Sequence, residues 1–139
     1  MLLKGFDLFS GVGGFHHAAH ELLNSEYQTT IFCELDQNAR KAYKAGLDEN
    51  IEYEFCDVNE ITKGYASGSE IFNYSSKYIK NQIPNFDILF AGFPCQPFSS
   101  MGAKKGLNDP RGNLFFHIEA ILKAKKPRYF ILENVRGLK

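Results

Sequence analysis

The stretch DLFSGVGGF at residues 7–15 decides the fold, because an apolar strand runs directly into glycines and then into a helical pattern. Glycines let the backbone turn tightly and approach a ligand, and the first amides of the following helix can meet an anionic or hydroxyl-bearing group. The spacing differs from the G-x-G-x-x-G of dinucleotide-binding folds, which disfavours a nicotinamide cofactor. The stretch therefore predicts either a nucleotide-type site after a first β-strand or a strand-to-helix turn without a ligand.

Outside this stretch the chain alternates short apolar runs with helical segments, as in an α/β fold whose mostly parallel sheet is covered by helices on both faces. Strands are predicted at Gly5–Phe9, Thr29–Cys33, Ile51–Phe55, Phe86–Ala91 and Tyr129–Leu132, and helices at roughly Gly14–Asn24, Gln37–Ala45 and Asn113–Lys125. Asp36 is predicted to cap the second helix, and Pro127 follows the third. The last two strands have almost no polar alternation, so burial on both faces is expected.

The length of 139 residues suits one domain, and the 44% hydrophobic content predicts a packed core. The least regular segment, residues 59–84, is rich in Ser, Tyr, Lys and Asn. It is interpreted as an insertion or extended crossover with at most one helix, and not as a second domain.

Charge is divided unevenly along the chain, although the formal net charge is zero. Residues 1–100 contain 7 basic and 13 acidic side chains, whereas residues 101–139 contain 9 basic and 3 acidic ones. The neutral total argues against a basic nucleic-acid module, but the division allows an acidic pocket for a cationic ligand and a basic surface for phosphate. Because no apolar run is long enough to cross a bilayer, a cytoplasmic protein without a membrane segment is expected.

The three cysteines form no C-x-x-C pair, so neither a disulfide framework nor a metal site is expected. Cys33 and Cys56 lie at the ends of their own strands and are interpreted as core or near-core residues. Cys95 differs because it lies in the loop GFPCQPFS, residues 92–99, where two prolines stiffen the chain just after a strand. Ligands of open α/β sheets bind beyond the carboxyl ends of the strands, so the Cys95 thiol is a candidate nucleophile.

Three carboxylates are predicted to reach this same edge of the sheet. Glu34 follows the second strand, where it can hold a ribose diol, and Asp57 follows the third, where it can accept from an amine such as that of adenine. Either one alone is more often a helix cap or a solvated loop charge. Together with the glycine turn they favour an adenosine-type site, which would also suit a sulfonium. Glu133 ends the last strand and is either a proton donor or a cap of the segment that follows.

Four motifs together resemble the DNA (cytosine-5) methyltransferases. They are DLFSGVGGF at 7–15, GFPCQPFS at 92–99, RGNLF at 111–115 and ENV at 133–135, in the order and spacing of the N-terminal part of that family's catalytic domain. The resemblance implies a Rossmann-like methyltransferase fold, here truncated after about the fifth strand. It also implies methyl transfer from S-adenosylmethionine to carbon 5 of a flipped cytosine in double-stranded DNA, as in restriction–modification enzymes, with Cys95 and Glu133 as the catalytic residues.

The resemblance further implies which residues would bind the cofactor and the DNA. The cofactor would be lined by Phe9, Gly11, Val12, Gly14, Glu34, Asp57 and Pro94. Leu35 and Val58 would pack on adenine, since the larger side chain that many members carry at the position of Leu35 is absent. The loop between Cys95 and Arg111 has two glycines and adjacent lysines, which predicts either a mobile flap that closes over DNA or an ordinary solvated loop with flexible cations. The predicted contacts with DNA are Gln96, Ser99, Lys104, Lys105 and Arg111.

The resemblance stops at Lys139, before the Gln-x-Arg-x-Arg segment, target-recognition region and C-terminal helix of family members. A truncated chain or one piece of a split enzyme is therefore expected, in need of a C-terminal half or a second subunit. Alone, residues 1–139 are expected to be inactive, to bind cofactor weakly and to expose a sheet edge. A transfer RNA cytosine-5 methyltransferase and a catalytically silent DNA- or protein-binding subunit remain open alternatives.

Overall fold

The apolar runs form parallel strands, and most of the connections between them contain helices. The structure, a computed structural model, describes residues 1–47, 51–63, 65–66, 72–93 and 114–134. Its strands are β1 (Leu3–Leu8), β2 (Tyr27–Cys33), β3 (Tyr53–Phe55), β4 (Tyr65–Ala66), β5 (Phe72–Asn73), β6 (Ile88–Gly92) and β7 (Tyr129–Glu133). Its α-helices are α1 (Gly14–Leu23), α2 (Gln37–Ala45), α3 (Val58–Thr62), α4 (Ser76–Gln82) and α5 (Leu114–Lys125).

Five strands form one sheet in the spatial order β3-β2-β1-β6-β7, and every neighbouring pair is parallel. Leu8 pairs with Cys33 of β2 on one side and with Ala91 of β6 on the other, so three strands end at a common edge. The chain runs outward from β1 to β3, then returns to the other side of β1 to form β6 and β7. In such sheets ligands bind outside the carboxyl ends of the strands at the point where the order reverses, here between β1 and β6.

Helices cover both faces of the sheet, because successive side chains of each strand point to opposite faces. The core of one face joins the sheet to α3, α4 and α5, and its fully buried members are Phe6, Leu8, Ile31, Ile61, Ile79, Leu89, Ala91, Ile118 and Ile121. The core of the other face joins the sheet to α1, and its buried members are Ala19, Tyr27, Ile88 and Phe90. On this second face Tyr43 of α2 stacks on Phe32 of β2, with ring centroids 4.4 Å apart.

The predicted parallel sheet with helices on both faces is confirmed. Every predicted strand overlaps an observed one and differs from it by at most two residues at either end. Helix α2 has the predicted bounds, and Asp36 caps it by accepting a 2.7 Å hydrogen bond from the N–H of Ala39. Helix α1 ends at Leu23 rather than Asn24, and Asn113 lies outside the described residues, which begin again at Leu114.

The prediction of at most one helix in residues 59–84 is wrong. Nearly all of α3 and the whole of α4 lie there, and β4 pairs with β5 in a small antiparallel sheet. Asp57 caps the N-terminus of α3, where its carboxylate accepts from the N–H of Asn59, and Ser75 caps α4, where its hydroxyl accepts from the N–H of Tyr78. Both helices are too short for a clear apolar period, so their caps and one buried isoleucine each were the only available signals.

The prediction that the last strand is buried on both faces is also wrong for the described part of the chain. All five residues of β7 are exposed, and Phe130 has 57% of its surface open. Strand β7 lies at the edge of the sheet, and among the described strands it pairs only with β6. A continuous apolar run predicts a strand that can be covered, but only tertiary structure decides whether it is covered.

None of the helices in the described ranges is both long and apolar enough to cross a membrane.

Gly5 is a point where β1 and β2 approach too closely for any side chain. A Cβ atom placed on Gly5 would lie 2.1 Å from the hydroxyl oxygen of Tyr27. Tyr27 cannot move aside easily, because its ring is buried and its hydroxyl is 2.8 Å from the Thr29 hydroxyl. Glycine is therefore required at this position for steric reasons.

We predict that Gly5→Ala destabilises the chain by about 1–3 kcal/mol, the usual effect of forcing an extra carbon into a packed interior. The free energy of unfolding in urea, followed by circular dichroism, measures the change. Gly14→Ala is the matched control, since a Cβ there would meet nothing within 4 Å. Equal stability of Gly5→Ala and the wild type would show that Tyr27 yields at little cost.

Candidate functional site

A cleft of about 790 Å³ opens at the carboxyl edge of the sheet, where its lining brings together the ends of β1, β2, β3 and β6. Its lining residues are Phe9, Cys33, Glu34, Leu35, Asp36, Gln37, Cys56, Asp57, Val58, Asn59, Gly92, Phe93 and Leu114. The volume lies within the roughly 300–1,000 Å³ of typical small-molecule sites. The cleft is at the place where the strand order predicts a ligand.

The glycine turn after β1 has a backbone that few residues other than glycine adopt easily. Phe9, Gly11 and Gly13 all have positive φ, at 57°, 55° and 100°. The N–H of Ser10 donates to the carbonyl of Cys33 at 3.1 Å, which ties the turn to the end of β2. A Cβ added to Gly11 or Gly14 would meet no atom within 4 Å, so the backbone there is open to a ligand.

Glu34 joins the glycine turn to the segment after β2. Its Oε2 accepts a 2.7 Å hydrogen bond from the N–H of Gly11, and its Oε1 accepts a 3.0 Å bond from the N–H of Asp36. Each carboxylate oxygen can accept more than one hydrogen bond, so Glu34 can hold the turn and still accept from a ligand hydroxyl. The side chain is thereby fixed at the rim of the cleft.

Asp57 both lines the cleft and caps the N-terminus of α3. Its Oδ1 accepts from the N–H of Asn59 at 2.8 Å, and its own N–H donates to Oε1 of Glu60 at 2.8 Å. This reciprocal cap holds Asp57 in place without using all of its acceptor capacity. The next residue, Val58, is buried and adds apolar surface to the cleft.

A buried carboxyl group lies at the end of β1, just before the glycine turn. Asp7 is fully buried, and its Oδ2 accepts a 3.1 Å hydrogen bond from the hydroxyl of Tyr43. Burial raises the pKa of Asp7 to about 7, the bond from Tyr43 opposes the rise, and the charge of Glu34 adds to it. Asp7 is therefore divided between its neutral and charged forms near neutral pH.

The ring of Tyr43 packs against the glycine turn at Gly13. Two of its ring carbons lie 3.1 Å from the point where a Cβ on Gly13 would be, so a larger residue at Gly13 would press on this ring. Nearby, Nδ1 of His16 is 2.8 Å from the hydroxyl of Thr29, and burial lowers the pKa of His16 to about 4, helped by His20 and His17. The turn thus rests on a buried polar layer between the sheet and helices α1 and α2.

Glu133 lies at the other end of the same sheet edge. It pairs with Gly92 across β6 and β7, and its Oε2 is 3.1 Å from where a Cβ on Gly92 would lie. The absence of a side chain at Gly92 therefore leaves room for this carboxylate. Glu133 is exposed.

The structure brings five of the predicted cofactor residues around one cleft: Phe9, Glu34, Leu35, Asp57 and Val58. It does not place Gly11, Val12 or Gly14 in the cleft lining, although Gly11 is bonded to Glu34. The remaining predicted residues lie outside the described ranges: Pro94, Cys95, Gln96, Ser99, Lys104, Lys105 and Arg111.

Of the two cysteines interpreted as core or near-core residues, Cys33 is buried as predicted, but the prediction for Cys56 is wrong. Cys56 is exposed at the cleft because it follows the last residue of a three-residue strand, where the chain has already left the sheet. Burial raises the pKa of the Cys33 thiol well above its usual range, so Cys33 is not a nucleophile at neutral pH.

The sequence interpretation missed Asn59, Gln37 and Phe93 as lining residues. Gln37 and Asn59 belong to no motif, and Phe93 lies in the GFPCQPFS motif without having been assigned a role. Each of the three lies within four residues of a predicted strand end, which is the signal that could have found them. In the described ranges, no group of three or more His, Cys, Asp or Glu side chains is arranged to hold a metal ion.

A family model described as C-5 cytosine-specific DNA methylase matches residues 3–139. The chain is 40% identical over 141 residues to the Type II methyltransferase M.HgiCI of Herpetosiphon aurantiacus, which covers 99% of the chain and 28% of that protein. It is 41% identical over 135 residues to the Type II methyltransferase M.HaeII of Haemophilus aegyptius, and this match covers 97% of the chain and 35% of that protein. The crystal structure of the S. pombe Dnmt2 methyltransferase has a similar fold, with a TM-score of 0.65 at 21% identity over 99% of the chain and 36% of that structure. The chain thus spans about a third or less of the two curated relatives.

We predict that Asp7→Asn changes how the stability of the chain depends on pH. The folded protein holds the Asp7 proton more tightly than the unfolded chain does, since folding raises the pKa to about 7. The wild type therefore loses stability relative to Asp7→Asn as the pH rises from about 4 to about 7, by on the order of a few kcal/mol, and the difference is constant above that range.

Urea unfolding of both proteins at several pH values measures this difference. The pKa values of His16 and His117 are both lowered to about 4 by burial, which gives the opposite slope, but these histidines are present in both proteins and cancel. Parallel stability curves for the two proteins would contradict the assignment of Asp7.

Proposed function

The chain belongs to the C-5 cytosine-specific DNA methylase family, and we propose that it forms the cofactor-binding and nucleophile-bearing part of an enzyme that methylates carbon 5 of cytosine in DNA. The observation that carries the proposal is the cleft at the point where the strand order reverses, with Glu34 and Asp57 beside a glycine turn. The Type II methyltransferases that the chain resembles support the same chemistry. Because the chain spans only part of these relatives, a further segment or subunit is proposed to complete the enzyme.

S-adenosylmethionine is the proposed cofactor, and the cleft suits it in shape and charge. Glu34, Asp36 and Asp57 give the lining a negative potential, which favours a sulfonium cation. The open backbone at Gly11 leaves space for close approach of a ligand. Leu35, which is 72% exposed at the rim, provides an apolar surface that a purine ring can cover.

We assign the cofactor contacts residue by residue. Glu34 accepts from the ribose hydroxyls, and the oxygen of Asp57 that does not cap α3 accepts from the adenine amine. Leu35 and Val58 pack on the adenine ring. The methionine portion and the methyl-bearing end are assigned to Phe9, Gly11, Val12, Gly14 and Pro94.

Cys95 and Glu133 are the proposed catalytic residues. The Cys95 thiolate forms a bond to carbon 6 of cytosine, which moves electron density to carbon 5 and makes that carbon a nucleophile. Glu133 holds a proton at ring nitrogen 3 and stabilises the added electron density. S-adenosylmethionine, when bound, supplies the electrophilic methyl group. A base then removes the proton from carbon 5, and the thiolate of Cys95 leaves with the electrons of its carbon–sulfur bond.

DNA is the proposed substrate, and its target base must leave the helix to reach Cys95. The proposed contacts with DNA are Gln96, Ser99, Lys104, Lys105 and Arg111. Three of them are cations that can pair with phosphates, and the glycines around them permit a loop that closes over the bound duplex. Most of the acidic side chains precede this loop, so cofactor and DNA are assigned to parts of the chain with opposite charge.

We predict that the polypeptide carrying this chain forms a covalent adduct with a duplex containing 5-fluorocytosine when S-adenosylmethionine is present. Fluorine at carbon 5 cannot leave as a proton does, so the bond to the thiolate persists and shifts the band in a denaturing gel. Cys95→Ser abolishes the adduct, whereas Cys56→Ser, which removes the thiol that is exposed among the described residues, retains it. An adduct that persists in Cys95→Ser, or forms only with RNA of the same sequence, would contradict the proposal.

We also predict that Glu34→Gln weakens binding of S-adenosylmethionine roughly tenfold, because it removes a charge-assisted hydrogen bond. Isothermal titration calorimetry of the chain measures the dissociation constant. Glu52→Gln is the control, since Glu52 pairs with Lys4 and does not line the cleft. Equal affinities of Glu34→Gln and the wild type would remove Glu34 from the ribose site.

A further inference from the structure

The segment directly after β2, residues 34–36, contains a bend at Leu35, and we call this segment the corner. It carries Glu34 and Leu35, the residues assigned above to ribose and adenine, and the Leu35 side chain is 72% exposed. A side chain so open has little packing to hold it in one place. The position of Leu35 must therefore depend on how its backbone is held.

The N–H groups of this backbone are bonded at Glu34, to the carbonyl of Phe55, and at Asp36, to the Glu34 carboxylate, and a further side chain binds its carbonyls. Nη1 of Arg40, on the first turns of α2, donates to the carbonyl oxygen of Glu34 and to that of Leu35, at 2.7 Å each. Hydrogen bonds from a charged donor are stronger than neutral ones, and the planar guanidinium fixes their direction. Arg40 is thereby bonded to two successive peptide units of the corner.

Arg40 is itself held in place from two sides. Its own N–H donates to the carbonyl of Asp36 at 3.0 Å, and its Nε lies 3.8 Å from Oε1 of Glu54 on β3. The Arg40 side chain is only 15% exposed, which protects these contacts from solvent. The corner is thus linked through Arg40 to helix α2 and to the neighbouring strand.

We propose that Arg40 is a positioning residue for the adenosine portion of the cofactor, acting through the Glu34–Leu35 backbone and making no contact with the ligand itself. The inference rests on the proposed cofactor site. If Arg40 is removed, water can satisfy the two carbonyls, but the corner samples other conformations. Ligand binding must then order the corner again, which makes the free energy of binding less favourable.

If Arg40 acted only through its charge, its removal would have the opposite effect on the affinity for S-adenosylmethionine, so the two roles can be distinguished. Arg40 is a cation near an acidic cleft, so its removal would strengthen the binding of a cationic ligand. S-adenosylmethionine carries a net positive charge, whereas S-adenosylhomocysteine is neutral overall and shares the same adenosine. A positioning role weakens both ligands by the same factor, and a purely electrostatic role favours S-adenosylmethionine over S-adenosylhomocysteine.

Lys44 offers a matched control. It lies one turn further along α2 and pairs with the same carboxylate, with Nζ 3.2 Å from Oε2 of Glu54. Arg40 differs from it in also donating to the corner carbonyls. Lys44→Gln therefore removes the same charge from the same helix and leaves the corner intact.

The experiment titrates wild type, Arg40→Gln, Arg40→Lys and Lys44→Gln with S-adenosylmethionine, S-adenosylhomocysteine and adenosine by calorimetry. Arg40→Gln is expected to weaken all three ligands roughly tenfold, Arg40→Lys less, and Lys44→Gln by less than about twofold. Urea unfolding of each variant checks that the fold is kept, and Arg40→Lys decides the question if Arg40→Gln unfolds. Wild-type affinity in the Arg40 variants, or an effect shared by Lys44→Gln, would overturn the proposal.

Two further readouts separate positioning from a general loss of structure. Without ligand, amide hydrogen exchange should become faster at Gly11 and Asp36, whose N–H groups are bonded to Glu34, while the β2 amides keep their protection. In the complete enzyme, the KM for S-adenosylmethionine should rise with kcat unchanged. If the complete wild-type enzyme that carries this chain binds none of the three ligands, the cofactor assignment itself is wrong. If it binds them and Arg40→Gln binds equally well, only the role of Arg40 is wrong.

Discussion

The hydrogen bond from the N–H of Gly11 to the carboxylate of Glu34, 2.7 Å long, is the interaction on which the cleft depends. It joins the turn after β1 to the segment after β2, two parts of the chain that the sheet brings to one edge. A backbone with positive φ at Gly11 presents its N–H to that carboxylate, and the carboxylate in turn fixes the next segment through the N–H of Asp36. One acidic side chain therefore orders both walls of the proposed cofactor site.

The support for this arrangement lies in a buried polar layer. The Tyr43 ring packs against Gly13 in the turn, and its hydroxyl donates a hydrogen bond to Asp7. His16 is hydrogen-bonded to the hydroxyl of Thr29. Such a layer fixes geometry more strictly than an apolar core does, because buried polar groups lose much if they are not paired. The same burial leaves a carboxyl group, that of Asp7, with a pKa of about 7, so the stability of the folded chain depends on pH between about 4 and about 7.

Arg40 orders the outer wall of the cleft in the same way, by hydrogen bonds to the backbone. The exposed Leu35 cannot be held by packing, and its backbone is instead bonded to a side chain from the following helix. The opposite edge of the sheet is different, since β7 exposes its apolar residues in the described part of the chain. The two curated relatives are about three and about three and a half times as long as this chain.

The amino-acid sequence by itself determined the parallel sheet, the bounds of α2, the cap at Asp36 and the grouping of Glu34 and Asp57 at one edge. These features depend on local periodicity, capping chemistry and the rule that ligands bind at the carboxyl ends of strands, all of which are readable along the chain. The tertiary structure alone decided the exposure of β7 and of Cys56, the two helices within residues 59–84, and the contacts of Tyr43 and Arg40. Exposure depends on what packs against a segment, and a hydrogen bond between Tyr43 and Asp7 joins residues 36 positions apart, so neither follows from a local pattern.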